Sequence, residues 1–332
     1  MREKLLRALG PVIGLALFCA ALWALHRMLG AYRYQDIAHA FSAIPNSRVA
    51  VAMILTAMSF LALTGYDTLA IHYLRRSLPW RKTGFAAAVS YAFSNTIGMS
   101  VLISGSVRYR LYSAWGFSAI EVAKIVIFST FTYWLGILAI GGAILLAAPP
   151  PLPEVLQFKY LGPRTAGAIM IALPILYLCM ITVHLNPLKF RNWVLDPVKP
   201  GLALSQVAIG ALDWLLAGLT LYALLPHPAG FTISYGISVY MVAQTAGLIS
   251  HVPGGLGVFD SLVLLLLPAS ITGPEALAAL LAYRMIYYLL PLALAAIALG
   301  GRELLRPEYR LAWLSERVVP WMSVLFRKRP RS

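Results

Sequence analysis

Arg108 and Arg110 stand two residues apart in residues 95–115, NTIGMSVLISGSVRYRLYSAW, a stretch that follows a long uncharged run and is interrupted by Gly98 and Gly105. A guanidinium near the middle of a bilayer costs about 2.5 to 3.5 kcal/mol even on insertion scales. Its planar fork binds phosphate through two parallel hydrogen bonds. A lipid phosphate is therefore one ligand for this pair. The other reading is that both side chains snorkel to a headgroup region from the end of a short hairpin.

A second glycine-rich stretch at 251–268, HVPGGLGVFDSLVLLLLP, offers Gly254 and Gly255 as a turn whose backbone amides can point at an anion. Asp260 follows as a partner for a basic group of a ligand or of the protein; packing of closely approaching helices is the alternative use of these glycines. His251 has no second ligand at metal-binding spacing. Asp67, Asp213 and Arg284 are the other charges deep in apolar runs, fit for interhelical pairs or for a proton relay. Asp67, beside Tyr66, is also a candidate to line a substrate path. The two stretches are copies of one pattern. A constant offset of 149 carries Tyr91, Asn95, Thr96, Gly98 and Gly105 onto Tyr240, Gln244, Thr245, Gly247 and Gly254. Asn95 and Gln244 thereby join the candidate substrate-binding residues.

These residues sit in a chain of 332 residues that is 60% hydrophobic and 12% charged, against roughly 25% charged in soluble domains. Its uncharged runs approach or exceed the roughly 20 residues that cross a hydrocarbon core, and the short alternating strands of a barrel are missing. The class is an all-α polytopic membrane protein. The net charge of +15 lies in loops between apolar runs, where it marks the cytoplasmic side and not a nucleic-acid surface. Cys19 and Cys179 lie in apolar runs and indicate neither disulfide nor zinc site. No GxxxxGK[ST], HExxH or GxSxG pattern occurs, and no metal or cofactor is expected.

About eight spanning helices are expected, at 8–25, 49–71, 83–104, 122–147, 165–183, 202–225, 231–250 and 276–300. Two broken or re-entrant hairpins, at 105–118 and 251–268, accompany them, because irregular backbone at membrane depth requires surrounding protein or a polar cavity. Arg75, Arg76, Arg81 and Lys82, with no acid among them, place their loop in the cytoplasm, and both termini with it. The organisation read from this is a first span and loop (1–48), a first repeat (49–148), a linking span (149–200), a second repeat inverted against the first (201–300) and a basic tail (301–332). Residues 308–326 read as an interfacial helix. Inverted repeats around broken helices are an architecture of secondary transporters, with the substrate at the repeat interface.

GSVRYRLY at 105–112, TYWLG at 132–136 and HVPGGLGVFD at 251–260 resemble the transmembrane domain of the lysylphosphatidylglycerol synthase family, the flippase portion of the multiple peptide resistance factor, and its stand-alone relatives. The resemblance covers roughly 49–300. It implies an inner-membrane translocase that carries aminoacylated phosphatidylglycerol to the outer leaflet and so confers resistance to cationic antimicrobial peptides. It also implies that the two hairpins line a headgroup cavity, with Arg108 and Arg110 in the basic hairpin and Pro253 to Gly257 in the glycine hairpin. Asp260 stands where the family commonly has Glu. Residues 301–332 are too few for the aminoacyl-transferring domain, so the expectation is a non-enzyme served by a separate synthase, or a carrier of another anionic, glyco- or polyprenyl-phosphate lipid. An enzyme subunit acting on a lipid-linked substrate, a membrane scaffold, and a homo-oligomer stay open.

Overall fold

The computed structural model describes residues 33–97, 100–150, 162–183, 188–190, 193–195, 197–250 and 252–304. The span expected at 8–25, the interfacial helix at 308–326 and His251 lie outside the described residues. A short helix α1 (Tyr34–Ser42) leads into α2 (Asn46–Tyr73), α3 (Trp80–Ile97), α4 (Ser100–Ser113), α5 (Ala119–Ala147) and α6 (Pro163–Val183). An antiparallel ribbon of Leu188–Phe190 and Trp193–Leu195 precedes α7 (Pro200–Leu224), α8 (Ile233–Ile249) and a 3-10 turn (Pro253–Gly255). Then come α9 (Val258–Leu266), α10 (Gly273–Tyr283), a π-helical segment (Arg284–Leu289) and α11 (Leu290–Leu304). Among the described residues, five helices are long and apolar enough to cross a membrane: α2, α5, α6, α7 and the continuous run Gly273–Arg302.

Two expected spans resolve differently. The run at 83–104 is not one helix: α3 ends at Ile97 and α4 starts at Ser100. At 1.5 Å per residue their 18 and 14 residues reach about 27 and 21 Å, short of a core about 30 Å thick. They fold back on each other, and α4 runs unbroken through Gly105, so the first hairpin reverses between α3 and α4 and not within 105–118. The run at 231–250 is the 17-residue α8, which folds back through the glycine turn onto the nine-residue α9.

Local sequence sets these boundaries. Ser118 and Glu121 form a reciprocal capping box at the start of α5, and Thr272 and Glu275 do the same for α10. Gly254, Gly255 and Gly257 take φ of 60°, 63° and 80°, a left-handed backbone that disfavours a Cβ. The π segment lies just before Pro291, which brings no N–H to the carbonyl four residues back, a recognised cause of helix distortion.

The helices pack most tightly where glycines meet. A Cβ on Gly136 of α5 would overlap the backbone of Gly210 on α7. One on Gly142 would lie 2.6 Å from the Ile171 nitrogen of α6. Arg48 at the start of α2 donates to the Leu225 carbonyl at 3.1 Å, so α2 begins where α7 ends. At the other end, Arg76 donates to the Gly116 carbonyl at 2.8 Å and pairs with Glu121. Lys82 and Arg302 both approach the Trp115 ring there, at 5.7 and 4.9 Å. The α3–α4 hairpin thus starts and finishes at this basic end, whereas α8 starts from the opposite end.

Gly136→Ala and Gly210→Ala are expected to lower the thermal midpoint of detergent-purified protein, corresponding to about 1–3 kcal/mol of overpacking. Gly300→Ala, with nothing within 4 Å of its added Cβ, is expected to leave the midpoint unchanged or raise it. Equal behaviour of the three variants in a melting assay would contradict the close crossing of α5 and α7.

Candidate functional site

The tips of the two hairpins abut. A Cβ on Gly254 would sit 3.7 Å from the Thr96 carbonyl oxygen and 3.9 Å from that of Asn95. Between the tips and α2, α5 and α7 lies a cavity of about 450 Å³. Tyr91 and Asn95 from one copy of the repeated pattern and Tyr240 and Gln244 from the other all line it. The copies match in finer detail too: Thr96 bonds the Ala92 carbonyl at 3.0 Å and Thr245 the Met241 carbonyl at 2.7 Å, the same backward bond at matching positions.

Arg108 forms part of the cavity wall but is already bound. Its Nε and Nη2 donate to Asp67 at 3.0 and 2.7 Å, and its Nη1 donates to the Ser104 hydroxyl. Tyr112 and Ser129 donate to the same carboxylate at 2.7 and 3.1 Å. The Tyr91 ring lies 4.6 Å from the guanidinium. Asp67 and Arg108 are 0% and 1% exposed, so this is a dry ion pair tying α2, α4 and α5 together. Such pairs hold only when their remaining hydrogen-bonding capacity is met, and the hydroxyls of Ser104, Tyr112 and Ser129 meet it. Tyr112, Arg108 and Ser104 are four residues apart in succession, which places them on one face of α4.

The same helical geometry removes Arg110 from the site. Two residues along an α-helix is about 200° of rotation, and Arg110 is exposed and does not line the cavity. The two arginines therefore do not form one phosphate fork; an irregular backbone would have allowed it, but α4 is helical.

The second hairpin has its own ion pair. Arg284, on the π segment, donates from Nη2 to Asp260 at 2.7 Å, from Nε at 3.1 Å, and from Nη1 to the Gly254 carbonyl at 3.2 Å. Asp260 also accepts from the Gly257 amide at 2.9 Å. Arg284 thus pairs with Asp260 and not with Asp213, and together they pin the glycine turn to the last long helix. Asp260 and Arg284 stand behind the cavity wall, as Tyr66 and Asp67 do; Gly254 and Gly255 are on it.

Asp213, on α7, lines the cavity and accepts from Ser59 at 2.6 Å and Tyr66 at 2.9 Å. Ser59 also shares a 2.9 Å hydrogen bond with Tyr287. Ser59, Ser104, Tyr112, Ser129 and Tyr287 were not among the residues expected from sequence. The spacing of Ser104, Arg108 and Tyr112 is the signal that a helical reading of α4 would have exposed.

A helical membrane protein with a cavity between two short hairpins is the class that this architecture defines. The chain belongs to the family of the inner membrane protein YbhN of Escherichia coli, to which it is 33% identical over 76% of its own length and 79% of that protein. It is 39% identical to the uncharacterized protein slr0712 of Synechocystis sp., over 92% of this chain and 94% of that one. A weaker similarity, 22% identity over 90% of this chain, reaches the phosphatidylglycerol lysyltransferase of Staphylococcus haemolyticus, of which it covers 34%. No family model matches the chain. It is a multi-pass inner-membrane protein related to the membrane part of the lysylphosphatidylglycerol synthases.

Removing one member of a buried pair leaves an uncompensated charge, at a cost of about 3–5 kcal/mol. Asp67→Leu and Arg108→Met are each expected to destabilise the protein by about that amount, and the double variant by less than either alone. A double-mutant cycle of thermal midpoints tests this; additive losses would mean that the two charges do not compensate each other.

Proposed function

We propose that this protein is a lipid translocase that receives a phospholipid headgroup in the cavity between its two hairpin tips and passes it between leaflets. The observation that carries this reading is the cavity itself: about 450 Å³ between the helices, with Tyr91 and Asn95 from one copy of the repeated pattern and Tyr240 and Gln244 from the other on its wall. That volume lies within the roughly 300–1,000 Å³ of small-ligand sites. Polar and ionisable groups at membrane depth are costly, and substrate pathways are where they occur. The similarity to a phosphatidylglycerol lysyltransferase supports phosphatidylglycerol or an aminoacyl derivative as the lipid. In this reading the chain carries the lipid and a separate synthase aminoacylates it.

The two hairpins are read as an inverted repeat, one entering from each leaflet, the arrangement in which rocking of one half against the other alternates access to a fixed site. The basic end with Arg75, Arg76, Arg81 and Lys82 is assigned to the cytoplasm by the excess of positive charge. Arg108 contributes to the headgroup site as a neutralised pair with Asp67, and Asn95 and Gln244 face the headgroup from opposite copies.

Purified protein in liposomes is expected to exchange fluorescent or aminoacylated phosphatidylglycerol between leaflets. Asn95→Leu/Gln244→Leu should slow exchange at least tenfold, while Arg110→Ala, outside the cavity, should leave it unchanged. Failure of the folded wild type to exchange any of a broad lipid panel would refute the translocase. In cells, single cysteines placed in 149–153 and in 226–230 are expected to label from the same, periplasmic side; labelling from opposite sides would rule out the inverted topology.

A further inference from the structure

Of the five Asp and Arg side chains gathered around the cavity among the described residues, four make two ion pairs, Asp67 with Arg108 and Asp260 with Arg284. Asp213 is the fifth. It is 4% exposed and lines the cavity, and no Lys, Arg or His among the described residues reaches it within salt-bridge distance. Its neighbours are hydroxyls: Ser59 and Tyr66 on α2, Tyr91 on α3, Tyr133 on α5 and Tyr287 on the π segment. Of the other elements packed on α7, α8 and α10 bring Tyr240 and Tyr283, which bond each other, and α6 brings Tyr177, which bonds Gln206. Arg108, the cation that shares the cavity wall, is spent on Asp67.

With both arginines neutralised, the wall carries one carboxyl whose charge no basic side chain among the described residues balances. A buried, uncompensated carboxylate is unfavourable, so it calls for a cation. A phosphate alone would add a like charge; a proton or an ammonium group would complete the set. Ser59 and Tyr287 add a hydroxyl chain from the carboxyl to the distorted helix, a route along which a proton can pass.

We propose that Asp213 is a proton–ammonium exchange site. Resting on the translocase reading, this narrows the substrate class to phospholipids whose headgroup bears an amine. When the cavity is empty the Asp213 carboxyl holds a proton. When the lipid ammonium arrives it takes the proton's place, and the proton leaves to water: Asp213–COOH and R–NH₃⁺ become the Asp213–COO⁻···⁺H₃N–R pair and one H⁺. Movement of the amine lipid one way is thereby tied to movement of a proton the other way.

The test is a binding measurement that does not depend on transport. Purified protein in lightly buffered detergent, with a pH indicator present, is titrated with lysyl-phosphatidylglycerol, with phosphatidylethanolamine and with phosphatidylglycerol, and bound lipid is quantified in parallel. The expected result is release of about one proton per amine lipid bound and none with phosphatidylglycerol. Asp213→Asn, which keeps the shape of the side chain, should release none, and Asp213→Glu should restore release. Amine-lipid binding with no proton released, or equal release from Asp213→Asn, would overturn the exchange site while leaving leaflet exchange as the separate test of the translocase. Absence of binding by every lipid would overturn both. If the Asn variant does not fold, the wild-type comparison decides: equal proton release with the amine-free lipid overturns the proposal.

Discussion

The ion pair between Asp67 and Arg108 constrains much of the first half of the molecule. In an interior this dry, each charge alone would cost several kcal/mol, so every helix near the pair is placed to satisfy it. Asp67 comes from α2, Arg108, Ser104 and Tyr112 from α4, and Ser129 from α5. Three of these share one face of α4, so α4 must be a regular helix across Gly105. The hairpin can then reverse only before it, between α3 and α4, and that sets how deep the tip reaches. What a charge-poor bundle would leave to lipid packing is here fixed by one carboxylate and its four donor groups.

The second hairpin meets the same need by other means. Its returning leg, α9, has only nine residues, too short to anchor itself by packing alone. A helix that ends at membrane depth also leaves backbone groups that need partners. Arg284 reaches from the π segment to the Gly254 carbonyl and to Asp260, and Asp260 caps the Gly257 amide. The distortion before Pro291 thus places the residue that holds the turn. Two tips secured from different sides, one by α2 and α5 and the other by the last long helix, can touch without interpenetrating. The space left beside them is the cavity.

The coarse architecture was legible because hydropathy and charge act over long stretches. The runs that became α2, α5, α6 and α7 lie close to their expected positions, and the repeat offset brought together four residues, Tyr91, Asn95, Tyr240 and Gln244, that line one cavity. The first hairpin was misplaced because Gly98 and Gly105 look equally disruptive in sequence, and only the contacts of Arg108 show that the second is tolerated inside a helix. Arg110 was grouped with Arg108 by adjacency, which means proximity only in an extended or irregular chain. The pairing of Arg284 could not be read at all. It depends on which of three acids, 24, 71 or 217 residues away in the chain, the fold brings within reach of the π segment, and interhelical distance leaves no mark in composition or spacing.

Placing both arginines in ion pairs also changes what the cavity can hold. Two free guanidinium groups would make it a receptor for phosphate; two neutral pairs leave one carboxyl, which a proton or an ammonium group neutralises. A phospholipid headgroup with both a phosphate and an amine resolves this on the translocase reading. Its phosphate meets the neutral polar groups of Asn95 and Gln244 and the polarised edge of the Arg108 pair, and its ammonium meets Asp213. The ammonium is thereby answered in a low-dielectric space, where an unanswered charge would be the largest barrier to crossing, and the phosphate is met by hydrogen-bonding groups. An amine-free anionic headgroup would bring no ammonium to displace the Asp213 proton, so on the same reading the carboxyl would stay neutral and no proton would be exchanged.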